Sequence, residues 1–135
     1  MAEVAHLFIC DEAYEDDRGQ PCVIGMYDHI RSASFPHRHP RMVVAAQMVG
    51  HHDEGCDVTV EVLDPRHHVL VSSHNDAPAS LSEIGQGFVF LTLTDTAFAE
   101  PGRYTVQISS AGRVLASKPL ILQQEDSIHD PQRAH

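Results

Sequence analysis

Hydrophobic and polar residues alternate along much of this chain, with the two-residue period of a β-strand. In CDVTVEVLDP, residues 56–65, the cysteine and the valines fall on one face, whereas Asp57, Thr59 and Glu61 fall on the other. GRYTVQIS, residues 102–109, repeats the pattern. Each segment therefore predicts an antiparallel strand with one buried face.

Six further segments have the apolar runs or the alternation typical of strands. They are His6–Cys10, Cys22–Ile30, Met42–Val49, His68–Ser72, Phe88–Thr94 and Val114–Leu122. Turn-forming residues separate the strands, and SAGR at 110–113 predicts a tight hairpin with Gly112 at its tip. Together the pattern predicts an all-β fold: a single-domain antiparallel β-sandwich of about eight strands, immunoglobulin-like or jelly-roll-like.

Two segments lack the strand pattern. Ser73–Gly87 is the longest polar loop, and Ala79–Ile84 within it is the one segment that we expect to be helical. The last residues, QQEDSIHDPQRAH, are polar and interrupted by proline. We therefore expect a sandwich domain over residues 1–125 and a disordered polar tail over residues 126–135.

The charge of the chain excludes several classes of partner. The chain has nine Lys and Arg residues and 19 Asp and Glu residues, which gives a net charge of −10. Such a surface repels phosphate, so we expect no binding to nucleic acid or to anionic lipid. No apolar run approaches the roughly 20 residues that a membrane span needs. The N-terminal MAEVAHLFIC lacks the basic region of a signal peptide, so we expect a soluble, cytoplasmic protein.

The segment SFPHRHPRMVV, residues 34–44, holds the main candidate for a metal site. On an extended chain His37 and His39 project to the same side, roughly 7 Å apart at Cα, which suits two imidazoles sharing one metal. A third ligand could come from a histidine pair, His51 and His52 or His67 and His68, or from a nearby carboxylate. His67 and His68 are the better pair, because we expect Cys56–Asp64 to return antiparallel to Met42–Val49.

The metal site is nevertheless the less favoured interpretation of this segment. With eleven histidines in the chain, close pairs arise by chance. Pro36 and Pro40 hold the preceding residues extended and remove two backbone donors, so the segment also suits a rigid crossing between strands. We prefer this interpretation.

Other catalytic chemistry has little support in the sequence. There is no GxSxG motif, and the three cysteines form no CxxC motif and lie in apolar strand patterns, where thiols are usually inert. Cys10 and Cys22 could face each other across a hairpin, but we expect both to be reduced. The acidic stretch Asp11–Gln20 lacks the spacing of an EF-hand and is interpreted as a solvated loop.

Several segments, taken in order, resemble a family of small bacterial β-sandwich proteins of unknown function. They are LFICDEA (7–13), VIGMYDHI (23–30), SFPHRHPRMVV (34–44), EPGRYTVQI (100–108) and VLASKPLIL (114–122). The resemblance spans about residues 4–122 and implies a compact antiparallel sandwich in a cytoplasmic bacterial setting, with no activity or catalytic residues attached. His39 with Pro40 matches the His-Pro pair of such proteins, and His37 does not belong to that pair.

These observations lead to two main functional hypotheses. The preferred one is a non-enzymatic binding module whose partner is another protein or a second copy in a homodimer. Its expected contact surfaces are the Asp11–Gln20 and Ser73–Gly87 loops or an edge strand, because mixed outer faces such as DVTVEV argue against an apolar sheet surface. The alternative is a metal-binding protein or metal-dependent enzyme that holds zinc or another divalent transition metal with His37, His39, His67 and His68. A histidine-based, pH-responsive assembly factor is a third hypothesis and rests on composition alone.

Overall fold

The computed structural model describes residues 2–51, 55–75, 79–82 and 84–125, and every regular element in these ranges is a β-strand. The strands are β1 (Glu3–Glu15), β2 (Pro21–Met26), β3 (His29–Ser32), β4 (His37–Val49), β5 (Gly55–Cys56), β6 (Thr59–Leu63), β7 (Val69–His74), β8 (Ala79–Ser80), β9 (Gln86–Phe98), β10 (Gly102–Ser110) and β11 (Arg113–Gln124). One sheet has the order β2-β1-β4-β9 and the other the order β3-β11-β10-β6-β7, while the short strands β5 and β8 pair with each other. The predicted β-sandwich is thereby confirmed.

A single aliphatic core lies between the two sheets. The four-stranded sheet contributes alternate residues of β1, β4 and β9, and the five-stranded sheet contributes alternate residues of β6, β10 and β11. Among the most deeply buried are Ile9, Met42, Val44, Val60, Val62, Val106, Ile108 and Leu120. Because successive strand residues point to opposite faces, the alternation in the sequence is what delivers these side chains to one layer.

Tyr104 closes one corner of this core. Its ring is buried and meets Phe98 edge-on, with the ring centroids 5.0 Å apart, while its hydroxyl donates a hydrogen bond to the carbonyl oxygen of Glu100 at 2.8 Å. A buried tyrosine near the start of a late strand, bonded to the backbone a few residues upstream, is the tyrosine corner of immunoglobulin-like sandwiches. Of the two predicted classes of sandwich, this contact favours the immunoglobulin-like one.

Several strands differ from their predicted form. Cys22–Ile30 is not one strand: it contains β2 from its second residue onward and the first two residues of β3, which lie in different sheets. Strand β3 also pairs with β11 in parallel rather than antiparallel. The helix expected over Ala79–Ile84 is wrong, because this stretch begins with strand β8 and none of its described residues is helical. The predicted hairpin tip is confirmed, with positive φ angles of 52° at Ala111 and 78° at Gly112.

The N-terminal hairpin is longer than the sequence pattern indicated. β1 continues to Glu15, so Asp11 and Glu12 belong to a strand and not to an acidic loop, and the turn is confined to a few residues after Glu15. Within the described ranges there is no helix long and apolar enough to cross a bilayer. The expected disordered tail, residues 126–135, lies outside the described residues.

The tyrosine corner gives a direct test of the fold. We expect Tyr104→Phe to lower the free energy of unfolding by about 1 kcal/mol, since it removes one hydrogen bond and leaves a partly buried carbonyl without its donor. Urea unfolding followed by circular dichroism measures the change. An unchanged midpoint would show that the Glu100 contact contributes nothing to stability.

Candidate functional site

The two histidines of the candidate metal site lie side by side in β4. The strand begins at His37, five residues before the predicted Met42, so the segment is part of a strand and not a crossing that precedes it. Nε2 of His37 lies 3.3 Å from Nδ1 of His39, and the hydroxyl of Tyr27 lies 3.2 Å from Nε2 of His39. The three side chains form a continuous hydrogen-bonded row.

A break in the β4–β9 ladder determines where this row lies. The ladder passes from the His39–Thr96 pair to the Arg41–Thr94 pair, and it skips Pro40, which has no amide to donate, and Asp95, whose φ is 56°. Leu93 and Phe98 both face the core although they are an odd number of positions apart, which regular alternation along a strand does not allow. The set of inward-facing residues therefore changes at this break. As a result His37 stacks on Phe98, with ring centroids 6.4 Å apart, and Phe35 meets His37 from another side.

Burial sets the protonation of the row. It lowers the pKa of His39, with a further decrease from neighbouring His37 and a smaller, opposite effect from Asp11. Burial also raises the pKa of Tyr27, and the charge of Asp11 adds to the increase. Both groups are therefore neutral near pH 7. A neutral His39 can accept a hydrogen bond at one ring nitrogen and donate a hydrogen bond from the other. The row can therefore be hydrogen-bonded throughout without carrying a charge on Tyr27 or His39.

The other two candidate ligands lie on the other sheet. His67 and His68 are exposed in the turn between β6 and β7, where Nδ1 of His68 is 3.7 Å from a carboxylate oxygen of Asp64. Strand β6 pairs with β10 and β7 and not with β4, so the expected return of Cys56–Asp64 alongside Met42–Val49 is wrong. Across the described ranges, no three His, Cys, Asp or Glu side chains gather in an arrangement that could hold a metal ion.

The cysteine positions also differ from a simple hairpin pair. Cys10 is paired with Met26 across the β1–β2 hairpin, and Cys22 is paired with Tyr14, so the two thiols do not face each other. Cys10 is fully buried, and burial raises its pKa above the usual value. A protonated, enclosed thiol is a poor nucleophile, as the apolar pattern predicted.

The feature that the sequence interpretation missed is the outer surface of the four-stranded sheet. Three rows of side chains cross it, each from strand to strand. They are Met26–Cys10–Val43–Thr92, Phe8–Ala45–Phe90 and His6–Gln47–Phe88. Because the neighbouring residues on these strands point into the core, the rows lie on the opposite, solvent side of the sheet. We call this surface, together with Ile24, the outer apolar face.

The outer apolar face contains both buried and exposed side chains. Cys10, Val43 and Ala45 are buried although they do not belong to the core between the sheets, whereas Ile24 and Met26 are 51% and 63% exposed. The aromatic rings near the starts of β1 and β9 stack in pairs. Phe88 stacks on Phe90 and His6 stacks on Phe8, each with ring centroids 6.0 Å apart. The signal was present in the sequence: MVVAAQMV and FVFLTL are apolar at consecutive positions, which requires both faces of a strand to be apolar.

Charged groups border this face at the hairpin end. Arg41 donates two hydrogen bonds to the carboxylate of Glu12, at 3.0 and 3.1 Å, and the guanidinium lowers the pKa of that carboxyl. Beyond this neutralised pair, the hairpin tip carries three consecutive acidic residues, Glu15, Asp16 and Asp17, and one basic residue, Arg18. The apolar surface is thus bounded by negative charge on this side.

The relation of the chain to known proteins agrees with this architecture. A family model matches residues 5–123, nearly the whole sandwich. The chain belongs to DUF6941, a family of unknown function. The resemblance found in the sequence is thereby confirmed, and no curated protein matches the chain.

Three solved structures are similar to this DUF6941 chain at low sequence identity. The alkylpurine DNA glycosylase AlkC of Pseudomonas fluorescens, bound to DNA with an abasic-site analogue, is 13% identical with a TM-score of 0.53 over 90% of this chain, which spans only 30% of the glycosylase. An immunoglobulin-like protein of Pseudomonas aeruginosa is 13% identical (TM-score 0.48; 91% and 97% of the two chains). A β-glucosidase of Listeria innocua in complex with isofagomine is 11% identical (TM-score 0.49; 90% and 16%). At such identity the glycosylase likeness shows the fold alone.

The lowered pKa of His39 predicts a dependence of stability on pH. The unfolded chain binds a proton at this residue more readily than the folded chain, so acidification from about pH 7 to about pH 5 lowers the free energy of unfolding. We expect His39→Gln to lose less stability over this interval than the wild type. Urea midpoints at both pH values measure the difference.

The matched control for this experiment is His67→Asn, which removes an exposed histidine of the β6–β7 turn and suits its positive φ of 66°. Its pH dependence should equal that of the wild type. An equal dependence for His39→Gln as well would rule out His39 as the group responsible.

Proposed function

We propose that this protein is a non-enzymatic interaction module that binds a partner on its outer apolar face. The observation that supports the proposal is the exposure of Ile24 and Met26 on β2, on the same side of the sheet as the buried Cys10, Val43 and Ala45. Exposed apolar side chains that are grouped on one surface, rather than scattered singly, mark interaction sites. The histidine row supports the non-enzymatic part, because its described contacts are to aromatic rings and to a tyrosine whose proton is tightly held.

The size of the face indicates the kind of partner. Four strands span roughly 14 Å, and the length of β1 from His6 to Glu12 is roughly 20 Å, which gives a footprint of about 300 Å². This is the size of the largest apolar patch on a typical monomer, which is often functional. It is well below the roughly 800 Å² that each partner buries in a standard protein complex. A short extended or helical segment of another protein fits this footprint better than a whole globular surface.

The charge around the face adds a second requirement. The chain carries a net charge of −10, and the hairpin tip places three acidic residues at one end of the apolar rows. Electrostatic complementarity therefore favours a partner segment that has apolar side chains in its middle and Lys or Arg at the end that approaches this tip. Added salt should weaken the complex, because this part of the contact is solvent-exposed.

A random peptide library displayed on phage and selected on the immobilised protein tests this proposal. We expect the selected peptides to combine apolar residues with Lys or Arg. Their affinity should fall at least fivefold for Met26→Lys, since loss of an interface anchor costs roughly 1–2 kcal/mol. Fluorescence anisotropy with synthetic copies of the selected peptides gives the dissociation constants.

The matched control is Val69→Lys. Val69 is 55% exposed, close to the 63% of Met26, but it lies on β7 of the other sheet. This variant should bind the peptides as the wild type does. Selection of no peptide, or equal losses in the two variants, would refute a docking site on the outer apolar face.

The same proposal includes a bacterial, cytoplasmic setting. The resemblance of the sequence to bacterial sandwich proteins supports the source. Cys10 and Cys22 support the compartment, since neither is positioned opposite the other and no disulfide joins them. Unpaired thiols are usual where the environment is reducing.

One geometric observation favours a second candidate function, a metal site at His37 and His39. Their nearest ring nitrogens are 3.3 Å apart. Two nitrogens bound to one tetrahedral zinc ion, each at 2.0–2.1 Å, are separated by roughly the same distance. Zinc needs four ligands, however, and in the described ranges this pair is not joined by a third His, Cys, Asp or Glu. We therefore rank this candidate second.

The metal content of untagged protein, purified without chelator, distinguishes the two candidates. We expect zinc, iron, copper and nickel well below one atom per chain by mass spectrometry. A stoichiometric metal that is lost in His37→Ala and His39→Ala would establish the second candidate and overturn our ranking.

A further inference from the structure

Strand β9 is the long edge of the four-stranded sheet, and β7 of the other sheet lies beside part of it. In the described part of the chain its thirteen residues form a sheet ladder only with β4. An unpaired strand edge presents a row of backbone donors and acceptors to any strand that can align with it. The composition of β9 does nothing to prevent this, since QGFVFLTLTDTAF contains no proline or lysine and only one charged residue, Asp95.

The other three sheet edges differ from β9 in this respect. Strand β2 has six residues, begins with Pro21 and contains Gly25 at a φ of 71°, while β3 has four residues. Strand β7 has six residues, and its pairing with β6 shifts register near Leu63. Short length, proline and irregular backbone are the devices by which proteins protect their edges. Among the described edges, β9 alone is long and regular, from Gly87 to Thr94.

The direction of the free backbone groups follows from contacts at both ends of the sheet. The carbonyl oxygen of Ile9 accepts a hydrogen bond from the amide of Tyr27, on the β2 side of β1. In an antiparallel ladder the backbone groups of successive residues point alternately to the two neighbouring strands, so this bond fixes their direction on β1 and, through the pairing, on β4 and β9. Counting across β4, the backbone groups of Val89, Leu91 and Leu93 point to β4. At the start of β9, Gln86 bonds to Ser82 through both its amide and its carbonyl, on the side away from β4, which gives the same assignment.

Within the described part of the chain, the residues of β9 whose backbone groups have no partner are therefore the even-numbered ones between Gly87 and Asp95. They are Phe88, Phe90, Thr92 and Thr94. Their side chains lie on the outer side of the sheet, and their amides and carbonyls point outward in its plane. A second strand can bond to all four without disturbing the ladder to β4.

We propose that two copies of this chain associate through β9, with the two strands antiparallel, to form one continuous eight-stranded sheet. A two-fold axis perpendicular to the sheet near Leu91 produces this pairing. It sets Val89 opposite Leu93 and Phe90 opposite Thr92 of the other copy, so that inward residues meet inward residues and outward residues meet outward ones. Mixed aromatic and β-branched pairs of this kind stabilise antiparallel strands.

The two-fold register of β9 suits a second copy as the occupant, and the charge of the strand does not oppose it. Two chains of net charge −10 repel each other over most of their surfaces. The single charge of β9 is already paired, since Asp95 lies 2.9 Å from the guanidinium of Arg38. The edge is thus a place where two identical acidic molecules can approach with little repulsion.

The proposed dimer has a consequence for the outer apolar face. A two-fold axis perpendicular to the sheet keeps the outer sides of both copies on the same side of the assembly. Phe88 and Phe90 of each copy then lie next to the shared strand pair, and the two apolar faces become one surface about twice as large. The dimer does not depend on that face having a partner.

A pair of substitutions at one position separates backbone pairing from side-chain contact. Thr92→Pro removes an outward amide and leaves the β4 ladder intact, because proline is tolerated where the amide faces solvent. Thr92→Ala keeps the amide and removes most of the side chain. In sedimentation equilibrium, we expect the wild type and Thr92→Ala to be dimers at micromolar concentration. We expect Thr92→Pro to dissociate at least tenfold more readily.

Three results would overturn the proposal. They are a wild type that stays monomeric at the highest soluble concentration, a Thr92→Pro dimer as stable as the wild type, and equal weakening by alanine and proline. If Thr92→Pro does not fold, Thr92→Lys decides the question, since a lysine on an edge strand opposes pairing. A stable Thr92→Lys dimer then contradicts the proposal, and a folded monomer supports it.

Amide hydrogen exchange provides an independent readout within the same strand. In the dimer the amides of Phe88, Phe90, Thr92 and Thr94 should exchange slowly and become faster on dilution to the monomer. The amides of Val89, Leu91 and Leu93, which point to β4, should stay protected in both states. Met26→Lys should leave this pattern unchanged, which separates failure of the dimer from failure of the docking face.

Discussion

Complete burial of both faces of β4 in its middle section is the constraint on which the rest of the structure depends. Five consecutive residues, Met42–Ala46, have almost no accessible surface. Since neighbouring residues of a strand point in opposite directions, an opposing sheet can cover only half of them. The other half must be covered from the solvent side, and Phe8 and Phe90 do this by flanking Ala45 on the two neighbouring strands. The outer apolar face is therefore a result of how the centre of the sheet is buried.

Much of the fold could be predicted because most strands have one buried face. Segments such as CDVTVEVLDP and GRYTVQIS show their inward positions directly, and the turn at Gly112 has a local backbone requirement that the sequence reveals. The assignment of strands to sheets could not be predicted in this way. Cys22–Ile30 is one apolar run, but the chain leaves one sheet after Met26 and joins the other at His29, and only the pairing of β3 with β11 accounts for that change.

The candidate site was only partly predictable, for a related reason. Strand geometry correctly placed His37 and His39 on one side of the chain, because their spacing depends on local backbone alone. Whether His67 and His68 could join them depends on which strands are neighbours, and β6 lies in the opposite sheet from β4. The polar outer side of DVTVEV is a property of β6 and not of every strand, so it does not reveal the outer apolar face. The uninterrupted apolar run of β4 was the better guide to its own sheet.

The break at Pro40 and Asp95 exchanges the inward-facing positions of β4 and β9 while the two strands keep one register on both sides of it. On the Met42 side, aliphatic residues face the core, and on the His37 side Phe98 continues the same core and carries the stacked ring of His37. One strand pair therefore joins two kinds of side-chain environment within a single continuous sheet.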